Sequence, residues 1–150
     1  MDLFRIFGVS AGGMGAQRVR LSVIAGNLAN AETTRSPEGG PYKRRDVIFE
    51  AVPFRETISA LTAAGSQNLP HGILTVHVAG VRESGRPPRK VYEPQHPDAN
   101  PDGYVLYPDI NSLEEMVDLM SAVRSYEANL AAFNATKTMI RRLLDLGRMG

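Results

Sequence analysis

Apolar residues at three- and four-residue steps run through the last quarter of the chain. Leu113, Met116, Met120, Val123, Leu130, Phe133, Ile140 and Leu144 draw one stripe along a helix. No glycine or proline falls between residues 113 and 146, so the pattern predicts an unbroken helix about 50 Å long at ~1.5 Å per residue. Ser112 with Glu115 three residues on fits a capping box, and Gly147 stands where a left-handed C-cap is usual. At the other end Met14, Leu21 and Leu28 are seven apart, with Gln17, Ile24 and Ala25 between them and Arg18 and Arg20 left for other faces. This reads as a second helix-packing seam. Gly8, Gly12, Gly13 and Gly15 each cost it ~1 kcal/mol against alanine, so its first turns are expected to bend or fray until packed.

Between the two seams the pattern changes. All ten prolines lie from Pro37 to Pro108, where helix interiors are not expected. Residues 73–81 set Leu74, Val76 and Val78 against Thr75, His77 and Ala79, a strand pattern. Residues 47–49, 90–92 and 104–107 are shorter strand candidates, Ser84, Gly85, Pro87 and Pro88 mark a turn, and residues 55–64 suit one short helix. The predicted class is α+β: long N- and C-terminal helices packing as a coiled-coil-like pair, with a small, mostly antiparallel β insert. The predicted boundaries are 1–36, 37–110 and 111–150.

Two arrangements suit such ends: an antiparallel helix pair closing one small globule, or helices that pack against other subunits. Length favours the second, since a 72-residue insert has an expected radius of gyration of about 11 Å and cannot cover a helix of about 50 Å. The expected assembly residues are Met14, Gln17, Leu21, Ile24, Asn27, Leu28 and Asn30 on the first helix. On the second they are Met116, Met120, Val123, Asn129, Leu130, Phe133 and Ile140. Asn27, Asn30, Asn129, Asn134 and Lys137 either fix register or face solvent.

Charge narrows the partners. The chain has 17 basic and 16 acidic residues, net +1, and no region has the basic excess that nucleic-acid binding needs. Cysteine is absent, which removes disulfides and thiolate metal sites. Residues 1–10 lack the continuous apolar run and cleavage site of a Sec-type signal peptide, and no apolar run reaches the ~20 residues of a membrane helix.

Candidate chemistry is sparse. Asp98, Asn100, Asp102 and Gly103, with Asp109, match the opening and last acid of a calcium loop, but Pro94, Pro97, Pro101 and Pro108 deny it flanking helices. The same residues suit a tight turn, and a calcium-binding module on residues 98–109 stands as the alternative reading. A small cell-wall hydrolase is a further rival, without a paired-carboxylate or histidine constellation to support it. The glycines near residue 13 follow no strand, so they are not a phosphate cradle. His71 and His77, about 20 Å apart on a strand, cannot share a metal. Lys43, Arg44 and Arg45 read as a solvated strand edge or, less simply, as a dock for an acidic partner.

The run Met14, Ala16, Gln17, Arg18, Leu21, Ile24 and then Gly26, Asn27, Leu28, Ala29, Asn30, Ala31, Glu32 and Thr33 resembles the first helix of flagellar rod and hook axial proteins. Gly40 to Arg44, Val91 to Ala99 and Gly103 to Val105 are similar to the proximal-rod members of that family. Glu114 to Val117 and Arg124 to Asn129 resemble the family's shared C-terminal helix. Ala11, Gly12, Gly13 and Met14 depart from the common Ser-Gly-Met, and residues 55–70 carry no matching motif. The resemblance implies a structural, non-catalytic subunit without cofactors. It would be exported through the flagellar type III apparatus without a cleaved signal and built into the basal-body rod in the periplasm. Implied partners are copies of itself, other rod proteins and the membrane-ring or export-gate adaptor at the rod base. Neither nucleic acid nor membrane insertion is implied.

Overall fold

The computed structural model describes residues 3–54 and 74–148; the short helix expected over 55–64, and His71, lie outside them. Among the described residues the order is α1 (Leu3–Ala29), β1 (Arg45–Pro53), β2 (Leu74–Glu83), β3 (Arg89–Tyr92), β4 (Tyr104–Tyr107) and α2 (Ser112–Arg148). Two helices enclose a small β region, so the chain is α+β as its patterning predicts. The strands form two separate two-stranded sheets, β1 with β2 and β3 with β4.

The glycines of α1 do not break it. A Cβ on Gly13 would lie 2.8 Å from Asn129 Oδ1, and one on Gly12 would lie 3.2 Å from the Val76 carbonyl oxygen and against the Thr75 hydroxyl. Propensity is given up there for close approach. The helix closes at Asn30, whose backbone N–H and side-chain Nδ2 both donate to the Gly26 carbonyl, while the Thr33 hydroxyl donates to Asn30 Oδ1.

The cap of α2 is not the expected capping box. Asn111 Oδ1 accepts the Leu113 N–H at 3.0 Å and the Asn111 carbonyl accepts the Glu115 N–H, so Asn111 is the N-cap. The Glu115 side chain is used elsewhere. Gly147 is helical, and positive φ occurs only at Gly39, Gly40 and Gly103 among the described residues, so no left-handed cap ends the helix there.

Contacts divide the chain into two compact units, each drawing on both helices. The first takes α1 up to Val19 and α2 from Ala122, with the adjoining parts of β1 and β2. In it the Phe7 and Phe133 rings meet edge to face with centroids 4.6 Å apart. On β2 the buried side chain is Thr75, at 3% exposure, whereas Leu74 and Val76 are exposed. Thr75 sits against Gly12, and further along β2 Val78 is half-buried while His77 and Ala79 are exposed.

The second unit takes residues 20–48 and 80–121. Its core is Ile24, Val105 and Ile110. β3 and β4 pair antiparallel with Val91 opposite Val105 and Tyr92 opposite Tyr104. Period-two alternation buries Val105 and exposes Tyr104 and Leu106. Gly103 closes the intervening loop at φ +81°, where a Cβ would stand 2.8 Å from the Tyr92 ring.

Candidate functional site

Within the second unit the seam between α1 and α2 is polar. Asn27 and Glu115 are each 1% exposed. Asn27 Nδ2 donates to Glu115 Oε2 at 3.1 Å and to the Arg45 carbonyl at 2.9 Å; Asn27 Oδ1 accepts the Arg45 N–H at 2.9 Å and the Tyr42 hydroxyl at 3.2 Å. Every donor and acceptor position of that amide is thus engaged. Arg44 Nε donates to Glu115 Oε1 at 2.6 Å, its Nη1 reaches Asp46, and Arg20 Nη2 donates to Asp118 Oδ1 at 3.1 Å. Burial works against the Arg44 charge, but the Glu115 hydrogen bond and the charges of Glu115, Asp46 and Asp118 outweigh it and hold its pKa above the ordinary arginine value. Burial likewise raises the Tyr42 hydroxyl above 10.0, with Arg45 opposing and Glu115 and Glu83 assisting.

The basic run is solvated at Lys43 and Arg45, which are exposed, but not at Arg44, which is half-buried. Arg44 is taken by Glu115 and Asp46, and Lys43 and Arg45 both pair with Glu83 on β2, at 3.4 and 3.6 Å.

In the first unit the seam combines small and polar residues with the contact of Phe7 and Phe133. Ser10, Ala16, Ala122 and Thr136 are buried, and Gly13 faces Asn129. Asn129 Nδ2 and the Thr136 hydroxyl each bond to the carbonyl four residues earlier, which satisfies them within α2.

The apolar residues of α2 lie largely on the opposite side. Leu113 (71% exposed), Met116, Val117, Met120 (55%), Val123 and Leu130 are exposed. Met139, Leu143, Leu144 and Leu146 are exposed toward the end of the helix. The single stripe read from the sequence is thus two faces: Phe133 and Ile140 are half-buried, and Met116, Met120, Val123 and Leu130 are open to solvent. On α1, Ile24 and Asn27 are buried, and Met14, Gln17, Leu21, Leu28 and Asn30 are half-buried. The pairing of Glu115 with Arg44 escaped the sequence reading, because a spacing rule sees neighbours three or four residues away and these partners are 71 residues apart.

The acidic loop is a turn. Asn100 Oδ1 accepts the N–H groups of Asp102 and Tyr104, Asp98 accepts the Thr34 hydroxyl at 2.7 Å, and Asp109 pairs with Arg86 at 3.6 Å. The side chains that would ligate calcium are aimed at separate partners. Among the described residues no three His, Asp or Glu groups converge as a metal site.

Residues 7–35 match the family described as flagella basal body rod protein, and residues 102–146 match the C-terminal family of the flagellar basal body rod FlgEFG proteins. These stretches hold most of α1 with its closing turn, and β4 with nearly all of α2. The chain is 41% identical to the flagellar basal-body rod protein FlgC of Bacillus subtilis, over 99% of this chain and 100% of that one. It is 40% identical to FlgC of Borreliella burgdorferi, over 97% and 98%, and 39% identical to FlgC of Salmonella typhimurium, over 99% and 100%. Two terminal helices with a polar mutual seam, the family matches on those same helices, and end-to-end similarity agree: the chain belongs to the FlgC family of flagellar basal-body rod proteins.

Proposed function

We propose that this chain is a structural subunit of the proximal rod, built into the basal body through its terminal helices and carrying out no catalytic step. The carrying observation is the outward face of α2, where Leu113, Met116, Val117, Met120, Val123 and Leu130 are exposed, whereas Glu115, Ala122 and Thr136 are buried and Phe133 packs on Phe7. A subunit that leaves a run of large apolar side chains uncovered has its burial still to complete. Covering that face with the helices of neighbouring copies and other rod proteins supplies it. The rod places the subunit in the periplasm, reached by type III export without a cleaved signal, with the ring or export-gate adaptor beneath it.

Met120→Asp and Leu130→Asp test this, because each sets an unpaired charge in the assembled seam, where uncompensated burial costs several kcal/mol. Cells making either variant should export the chain yet build no rod and fail to swim. Glu114→Ala, at an exposed position off the apolar face, should swim normally. Normal rods with Met120→Asp would remove α2 as the assembly surface.

A further inference from the structure

We infer that the end of α2, where it runs past the start of α1, docks on the first turns of α2 in a second copy, so that copies join end to end in an open chain. This rests on the proposed assembly role of the outward face and names what covers its first turns. In the first unit Gly13 faces Asn129 and Phe7 meets Phe133, so each step back along α1 is a step forward along α2. On that register Leu3, the first described residue of α1, stands opposite residues 137–139, while α2 runs on to Arg148. Residues 139–148 overhang by about 15 Å at ~1.5 Å per residue.

The overhang continues the side of α2 that α1 covers. Asn129, Phe133, Thr136, Ile140 and Leu143 recur at three- and four-residue steps along that side. Thr136 is buried and Phe133 and Ile140 are half-buried, whereas past the start of α1 Leu143 is 57% and Leu144 64% exposed. The first turns of α2 show the other side. There Glu115 is buried and bonded to Asn27 of α1, and Leu113, Met116, Val117 and Met120 are open to solvent. Two apolar patches thus lie at the two ends of α2 on opposite sides of it. One partner helix cannot lie along both sides, so a closed two-fold dimer covers only one patch. Setting the overhang of each copy on the first turns of the next covers both.

Charge selects the same pairing. The overhang and the turn before it carry Lys137, Arg141 and Arg142 against Asp145, all exposed. Around the first turns Asp46, Glu114, Glu115 and Asp118 stand against Arg20 and Arg44, which leaves an acidic excess. Like ends set together repel, and unlike ends attract. Such complementarity fixes which surfaces meet more than how tightly they bind, and apolar burial supplies the affinity.

The experiment follows the purified full chain by sedimentation velocity, so it stands apart from whether rods form in cells. Met120→Asp blocks the first turns and Leu143→Asp blocks the overhang. Both replace exposed side chains, so the thermal midpoint of each should stay within a few degrees of the parent. The parent should form species that grow past the dimer as concentration rises. Each variant alone should stay monomeric. Mixed in equal amounts, the two should give a heterodimer and nothing larger, because one intact overhang then meets one intact set of first turns. Leu143→Asp copies that associate as well as the parent would show outward faces pairing with each other, which overturns the overhang as partner and leaves the outward face as an assembly surface. A mixture that stays monomeric overturns it equally. A parent that stays monomeric at every accessible concentration overturns the second copy as occupant, and the assembly role is then judged by the variants in cells.

Discussion

Asn27 sits in a motif legible from the sequence, yet its four hydrogen bonds explain what the motif is for. Asn27→Ala leaves the Arg45 N–H and carbonyl and one Glu115 oxygen without a partner in a buried place. Unpaired buried groups cost about 1–3 kcal/mol each, partly relieved by water, so urea denaturation should show a loss of about 2–3 kcal/mol. Asn27→Asp is no remedy, because it aims a second carboxylate at Glu115. The glycines of α1 separate in the same way. Gly15→Ala meets nothing within 4 Å and should stabilise by about 0.5–1 kcal/mol through helix propensity, whereas Gly13→Ala drives a methyl into Asn129 and should destabilise despite the same gain. Equal stabilisation at both positions, read by urea midpoints, would mean that α1 and α2 do not approach closely at Gly13. Composition showed these glycines only as a weakness of the helix; that Gly12 and Gly13 are contact points depends on residues more than 60 positions away, which no local pattern contains.

At the scale of elements, periodicity located both helices and β4, whose strand is Tyr104–Tyr107 as the alternation predicts. It failed at the boundaries of α2. Ser112 and Glu115 satisfy the capping-box spacing, but Arg44 and Asn27 compete for the Glu115 carboxylate and win, and Asn111 caps in its place. Asn111→Ala should therefore cost about 1 kcal/mol and Ser112→Ala less than about 0.5 kcal/mol by chemical denaturation; the reverse order would restore the capping box. On β2, a strand at Leu74–Glu83 where the alternation predicts 73–81, Thr75 takes the buried place because the facing helix offers Gly12, while Val78 is half-buried. The segment entering β1 also carries a titration. Burial raises the Tyr42 hydroxyl above 10.0, so the folded chain holds that proton more tightly than the unfolded one. This contribution is whole below pH 10.0 and is lost as pH rises through the higher folded value. Tyr42→Phe should flatten the decline of the urea midpoint above pH 10, although Tyr107, raised by its hydrogen bond to Glu93, leaves part of the slope.

For the whole molecule, the balance of 17 basic and 16 acidic residues and the exposed apolar side of α2 say which force drives association. Arg44, Lys43, Arg45 and Arg20 are matched within the chain, and a net charge of +1 leaves no single-sign excess to steer one copy onto another. Burial of Leu113, Met116, Val117 and Met120 is the available gain, at roughly 25 cal/mol for each Å² of apolar surface removed from water. Self-association of the purified chain should then change little when sodium chloride rises from 20 mM to about 150 mM, a range over which exposed ion pairs weaken. Sodium sulfate should strengthen it, because an excluded salt favours apolar burial, and the complex should show a negative heat capacity of formation. Sedimentation equilibrium measures the first two and calorimetric dilution the third. Met120→Asp should abolish the sulfate response while leaving the monomer folded, since its side chain is exposed before association. Association that instead falls several-fold with sodium chloride and ignores sulfate would make charge the driving term, and the apolar side of α2 would then need a different occupant.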